Sequence, residues 1–421
     1  MNSTTSSIHS EHEQPWRWVI IGLLFLGTVV NYLDRLAIPV LSPVLQAEFK
    51  LTNLQYASIN SWFLIVYAVS MFLWGALFDR VGNRTGFSLA VVIWSLAEIG
   101  HALSRGFASL CGMRALLGLG EAGNWPGVTR TIAAWFPARQ RALAMGIANT
   151  GAALGPAIAP PFIIWLQLNF GWRVVFVATG SLGFAWLALW LLLYPRTAVA
   201  EIQPKAPDAP TVHHSPVPWG VLMRRREVWG IILARFFGDP IWWLYLNWMP
   251  LYLFNVRGFS LKQIAAFGWM PFVAAALGAL SGGWFSGWLL RRGATVNRAR
   301  KTAIVIGTAC MMTGFVTAFA TSPYVALAWM CVSCFGFQFW VGNVQTLPSD
   351  LFPVGAVGSI AGFAGSAAGL GAVIFTLSTG WVVDHFSYTP ILIAAAVLAP
   401  LATGVLFVLC GRVRTLELSS S

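Results

Sequence analysis

The sequence predicts an all-α membrane protein, with twelve transmembrane helices arranged as two pseudo-symmetric six-helix bundles. Three observations carry this. Only 10% of the 421 residues are charged and 57% are hydrophobic, whereas a soluble globular domain carries roughly 25% charge. Apolar stretches of about 20 residues, enough to cross a hydrocarbon core of roughly 30 Å, recur along almost the whole chain. Residues 195–227 interrupt that series with Pro195, Pro204, Pro207, Pro210, Pro216, Pro218 and the run Arg224-Arg225-Arg226, a composition suited to a solvated linker.

Taken in order, residues 1–16 form a polar cytoplasmic tail. The first apolar run carries Asn31, Asp34 and Arg35 and lacks a small-residue cleavage site, so no signal peptide is expected. Spans are predicted at 17–39, 54–78, 86–104, 107–129, 141–166 and 172–194, making an N-terminal bundle over 17–194. After the cytoplasmic linker 195–227, further spans at 228–255, 263–290, 301–321, 324–347, 357–384 and 388–410 make a C-terminal bundle over 228–410, with a cytoplasmic tail at 411–421.

The net charge of +12 raises the question of a nucleic-acid partner, and loop placement answers it. With both termini cytoplasmic, loops on that side hold 18 of the 26 Lys and Arg residues. Lys50, Arg105, Arg173, Arg257 and Lys262 fall on the other side, and Arg35, Arg114 and Arg235 stay within spans. The positive-inside rule accounts for this distribution without nucleic acid. Cys111, Cys310, Cys331, Cys334 and Cys410 all lie in apolar segments, and no histidine clusters with a carboxylate mid-membrane. Neither a metal site nor a cofactor is expected.

An internal repeat supports the two halves. Phe136-Pro137, Gly146 and Gly155 recur 216 positions later as Phe352-Pro353, Gly362 and Gly371, and Asn31-Tyr32-Leu33 answers Asn247-Trp248-Met249. Parallel halves of this kind are a transporter architecture, with the binding site expected near the bilayer midplane between them.

Gly75-Ala76-Leu77-Phe78-Asp79-Arg80-Val81-Gly82-Asn83-Arg84 joins the second and third helices. Gly75 would permit close helix approach, Asp79 would receive hydrogen bonds from a helix N-terminus or an Arg, and Gly82 would turn the chain. With Arg80 and Arg84 they form a candidate gating loop, and its spacing resembles the G-x-x-x-D-R-x-G-x-R signature of the major facilitator superfamily. The second-half counterpart, Gly283 to Gly287, lacks the Asp.

Ionisable residues inside a span cost about 2.5–3.5 kcal/mol on insertion scales and mark candidate functional sites. Asp34 and Arg35 adjoin Asn31 and Tyr32 in helix 1, and Arg114, Gly118 and Glu121 share one face of helix 4, with Gly118 leaving room between the charges. Two cations and two anions can serve as structural ion pairs. The functional alternative is that an anionic substrate docks on the guanidinium fork of Arg35, which suits a carboxylate. The added anion then favours protonation of Asp34 or Glu121, which couples substrate to proton.

Asn60, Tyr67 and Trp74 repeat every seven residues along helix 2, Asn149 lies in helix 5, Trp242, Trp243, Tyr245 and Asn247 in helix 7, and Gln338, Trp340, Asn343, Gln345 and Thr346 in helix 10. Aromatic faces beside amides suit the pyranose ring of a sugar acid, although amides also glue helices together. Arg235 and Asp239 are placed to pair with each other. Glu98, Asp350 and Asp384 lie toward span ends, where solvation or loop pairing is expected, and Gly151 to Pro156 reads mainly as close helix packing or a hinge.

Asn31-Tyr32-Leu33-Asp34-Arg35, Gly118-Leu119-Gly120-Glu121-Ala122-Gly123-Asn124-Trp125-Pro126 and Trp135-Phe136-Pro137 resemble the anion:cation symporters of the major facilitator superfamily. Asp239-Pro240-Ile241-Trp242-Trp243 and Leu347-Pro348-Ser349-Asp350-Leu351-Phe352-Pro353 resemble their bacterial hexuronate-transporting branch. The resemblance implies the major facilitator fold and uptake of sugar-acid anions such as galacturonate or glucuronate with protons across the bacterial inner membrane. By matching position it implies that Arg35 holds the substrate carboxylate, Asp34 and Glu121 exchange protons, Arg114 pairs with them, and Tyr32 and Tyr67 contact substrate. Where aldonate-transporting relatives have an amide in helix 5 and an Asn in helix 11, this chain has Ala152 and Gly365, so the sugar does not carry over.

The expected partners are thus a small anionic substrate, protons and the lipid bilayer, with the protein acting as a monomer and not as an enzyme. Uptake of another organic anion (an aldonate, aldarate or aromatic carboxylate) stays open. An efflux antiporter is disfavoured by arginines suited to an anion, and a sensor or enzyme lacks a catalytic cluster or added domain.

Overall fold

The computed structural model describes residues 5–136, 138–195 and 218–413. Residues 196–217 of the predicted linker and the tail residues 1–4 and 414–421 lie outside the described residues. Everything regular in the described residues is helical. The helices are α1 (Thr5–Phe49), α2 (Asn53–His101), α3 (Phe107–Glu121), α4 (Asn124–Trp135), α5 (Ala138–Phe170) and α6 (Trp172–Leu193), followed by α7 (Trp219–Met223) and α8 (Arg226–Asn255). Then come α9 (Leu261–Phe267), α10 (Met270–Arg291), α11 (Val296–Met311), α12 (Gly314–Phe319), α13 (Pro323–Leu351), α14 (Val354–His385) and α15 (Thr389–Cys410).

Eight stretches among the described residues are long and apolar enough to cross a membrane, so the chain is a multi-spanning α-helical membrane protein. The predicted span 107–129 is not one of them because a break at Ala122-Gly123 divides it into α3 and α4, of 15 and 12 residues. The 49-residue α2 covers two predicted spans. Gly82 divides it with φ 77°, a left-handed conformation that glycine adopts without a Cβ penalty.

Contacts divide the chain into two compact units, residues 1–38 with 62–210 and residues 39–61 with 211–421. The hairpin 39–61, predicted to belong with the N-terminal bundle, thus groups with the second unit. Lys50 turns that hairpin at φ 51°, and within the second unit Tyr56 donates its hydroxyl to the carbonyl of Asn247 and meets Trp248 edge-on at 5.1 Å.

The internal repeat has a structural counterpart inside each unit. Phe136 and Phe352 are both buried, extended C-cap residues, closing α4 and α13 with N–H bonds to Ile132 and Pro348. Gly155 brings α5 against α1, where a Cβ would lie 2.7 Å from Tyr32 Cβ and 2.8 Å from the Val29 carbonyl. Gly371 brings α14 onto the backbone of Phe236 in α8. In a membrane the hydrophobic effect does not drive helices together, and small residues of this kind let backbones approach for van der Waals packing.

Candidate functional site

In the first unit, α1 and α3 bring together the charges that the sequence singles out. Arg35 Nε donates to Glu121 Oε2 at 2.8 Å, and Arg35 Nη2 donates to Asn31 Oδ1 at 3.3 Å. The bond to Asn31, one helical turn earlier, aims the guanidinium across to α3. Its face is lined by aromatic rings, with Tyr32 at 4.5 Å, Tyr67 at 5.0 Å and Phe63 at 5.3 Å from its carbon, where ring quadrupoles hold a cation. Of the fork, Nε and Nη2 are the nitrogens engaged in these two bonds, with Nη1 in neither.

Arg114 lies on the other side of Phe63, 5.0 Å from that ring, and its Nη2 donates to the backbone carbonyl of Arg35 at 3.1 Å. Gly118 makes the arrangement possible. A Cβ there would sit 2.6 Å from the Phe63 carbonyl, so the glycine lets α3 seat against α2 between its own two charges. Asp34 is 0% exposed, and neither of its carboxylate oxygens has a hydrogen-bond partner among the described residues. Oε1 of Glu121 is likewise buried and unbonded. An ionised carboxylate in such a place costs several kcal/mol of desolvation, which binding a proton removes.

Asn60 is buried and donates to the Tyr56 carbonyl within the hairpin of the second unit. Trp74, on the same predicted stripe, donates its indole N–H to the Leu119 carbonyl at 2.6 Å and serves packing. Asn149 is exposed on α5. In the second unit Trp242 stacks on Phe337 at 5.7 Å and stays half-buried, as does Gln338, which makes no hydrogen bond among the described residues.

Three others in that unit turn inward. Trp340 donates to Thr403 Oγ1 at 3.0 Å, Asn343 donates to the carbonyls of Gly282 and Phe339, and Tyr245 is buried with its hydroxyl 3.2 Å from where a Gly314 Cβ would stand. Their polar or aromatic groups hold helices together in this conformation. Arg235 and Asp239 form a two-bond pair at 2.7 and 2.6 Å.

The loop predicted to gate caps a helix as well as turning the chain. Arg84 Nη2 donates to the Leu191 carbonyl at 2.7 Å and Nε to the Tyr194 carbonyl at 3.3 Å, satisfying carbonyls that the C-terminus of α6 leaves open. Arg80 is exposed, and the side chain of Asp79 lies outside the described residues. Gly75 departs from expectation, because a Cβ there would meet no atom within 4 Å and no close helix approach depends on it.

Glu98, expected near a span end in solvent or loop pairing, is instead fully buried, with Thr179 donating to its Oε1 at 3.0 Å and His101 Nδ1 at 3.6 Å from Oε2. The signal for it was in the sequence: an acid and a histidine one turn apart in a predicted span. Asp350 pairs with Arg300 at 2.8 Å, and exposed Asp384 accepts the N–H groups of Asn53 and Leu54 at 2.9 and 2.8 Å.

A sequence profile of the Major Facilitator Superfamily matches residues 24–376. Over 397 residues the chain is 32% identical to the hexuronate transporter of Escherichia coli (strain K12), covering 90% of this chain and 91% of that one. It is 32% identical over 329 residues to the galacturonate transporter of Dickeya chrysanthemi, covering 74% and 94%. Among solved structures, a bacterial homolog of the human lysosomal transporter Spinster, inward-facing and unoccupied, superposes with a TM-score of 0.76 at 19% identity, over 94% of this chain and 97% of that one. A D-xylose-proton symporter gives 0.77 at 17% identity, over 95% and 100%. These two likenesses concern the fold alone.

Proposed function

Because the chain belongs to the major facilitator superfamily and is a transporter related to the bacterial hexuronate and other sugar-acid carriers, we propose that it takes up a sugar-acid anion, a hexuronate such as galacturonate or glucuronate, in symport with protons. In this reading twelve spans form two six-helix bundles in the inner membrane, both termini are cytoplasmic, and access to the site alternates between the two sides.

The observation that carries the reading is the state of Arg35. Its guanidinium is almost wholly buried, bonded through Nε and Nη2 and flanked by the rings of Tyr32 and Tyr67. A carboxylate that competes with Glu121 for Nε gains a charge-assisted pair with Arg35, whereas a neutral sugar gains no such attraction. When the substrate carboxylate takes that bond, Glu121 loses its donor and becomes a second anion near Asp34. A proton on Asp34 or Glu121 relieves the repulsion, so substrate and proton bind together. The state that admits both then differs in affinity from the state that releases them, which is the only means by which a ligand drives a conformational change.

The test is uptake of labelled galacturonate into proteoliposomes under an inward proton gradient, with and without an uncoupler, beside Glu121→Gln. Uptake that needs the gradient and fails in the variant supports the reading. A folded protein that transports no hexuronate in competition with galactonate and galactarate would refute the hexuronate assignment.

A further inference from the structure

The first unit buries a second ionisable pair that this coupling scheme leaves idle. Glu98 and His101 lie one turn apart near the end of α2, both 0% exposed. Thr179 of α6 donates to Glu98 Oε1 at 3.0 Å. His101 donates from Nδ1 to the Ala97 carbonyl at 2.8 Å, lies 3.6 Å from Glu98 Oε2, and stacks on Phe176 of α6 at 5.0 Å with 17° between planes. Two buried polar atoms, Glu98 Oε2 and His101 Nε2, have no hydrogen-bond partner among the described residues.

A pair kept only for packing has no need of bare acceptors, each of which costs about 1–3 kcal/mol when buried. The wider balance points the same way. The charged groups that act on the pair are Asp34 of α1 and Arg114 and Glu121 of α3. With Arg35 included, the cluster holds three carboxylates, Asp34, Glu98 and Glu121, against two guanidiniums, so a neutral cluster carries one proton. At ~1.5 Å per residue, Glu98 lies about 5 Å from the end of α2 and Glu121 about 20 Å from the start of α3. Those two helix ends are joined by residues 102–106, which the proposed topology puts on the outer side.

We propose that Glu98 and His101 form a proton-binding site that receives the coupling proton from the outside and passes it to Asp34. This rests on the proton-symport reading above. One proton from outer water binds His101 Nε2 or Glu98 Oε2, is shared within the pair, and leaves for a carboxylate oxygen of Asp34. Only N–H and O–H bonds form and break, and the charge gained by the pair is given up when the proton moves on.

The experiment uses the full-length protein in proteoliposomes, with Glu98→Gln and His101→Gln as separate variants. Two rates are read: net galacturonate uptake driven by an inward proton gradient, and exchange of labelled for unlabelled galacturonate at equal pH, which needs no net proton movement. Each variant is expected to lose about tenfold of net uptake, the effect of one pH unit of proton affinity, while keeping exchange within about twofold. Unchanged net uptake in both variants overturns the proposal, and so does exchange lost in step with uptake, which marks a structural role. If Glu98→Gln does not fold, His101→Gln carries the same decision. A parent protein that transports without needing the gradient refutes the symport reading itself, whereas a gradient-dependent parent with unaffected variants refutes only the role of Glu98 and His101.

Discussion

Arg35 and Glu121 stand 86 positions apart in sequence and are joined at 2.8 Å with side-chain exposures of 6% and 0%. A pair so enclosed is costly to break from one side, since removing one partner strands the other's charge at about 3–5 kcal/mol. In the proposed cycle the site therefore stays occupied by its own carboxylate until the substrate anion displaces it.

Arg35→Lys keeps the charge and loses the fork. Substrate affinity is expected to fall by about tenfold or more, since a charge-assisted bond is worth about 1.5–3 kcal/mol. Binding measured by quenching of tryptophan fluorescence checks this, and an affinity unchanged within about twofold would show that the fork is not used.

Asp34→Asn should separate coupling from stability. The carboxylate of Asp34 makes no hydrogen bond among the described residues, so the neutral amide is expected to shift the melting temperature by less than about 3 °C. Accumulation against a gradient should nevertheless fail. Under the proposed proton symport, acidifying the outside is expected to raise uptake by the parent, and in Asp34→Asn that pH dependence should flatten.

Asp384 caps the first turn of α2, accepting the Asn53 and Leu54 N–H groups and the Asn53 amide at 2.8 to 2.9 Å. Asp384→Ala should cost about 0.5–2 kcal/mol locally, as loss of an N-cap does. Hydrogen exchange by mass spectrometry would register faster exchange in the peptide containing residues 53–56, and unchanged rates would argue that the cap does not hold that turn.

Gly155→Val places a branched side chain where a Cβ already comes within 2.7 Å of Tyr32. Overpacking of this kind costs about 1–3 kcal/mol, to be seen as a lower melting temperature in detergent. Gly146→Ala, on the same helix with nothing within 4 Å, is the control and should melt like the parent.

Hydropathy and charge placement made the helical, membrane-spanning class legible, because lipid tolerates little else. That the charges of α1 and α3 would meet was legible for a similar reason, as intramembrane charges are too costly to lack a use, but that Glu121 would take Arg35 was not. What periodicity did not convey was direction. Trp340 and Asn343 lie among the amides and aromatics that suit a sugar, yet they bond to Thr403, Gly282 and Phe339, and only tertiary packing decides which face of α13 turns inward. The position of Glu98 along the helix suggests a span end in solvent, whereas Thr179 and Phe176 of α6 cover that end.

The backbone passes between the two compact units at 38/39, at 61/62 and at 210/211. A single protease nick in the segment 196–217 severs only the last of these connections. The N-terminal fragment would still carry the hairpin 39–61, whose Tyr56 and Asn53 are bonded to Asn247 and Asp384 of the C-terminal fragment. Two co-expressed fragments divided at the linker should consequently co-purify as a non-covalent pair, and a polypeptide cut there should survive as a complemented carrier.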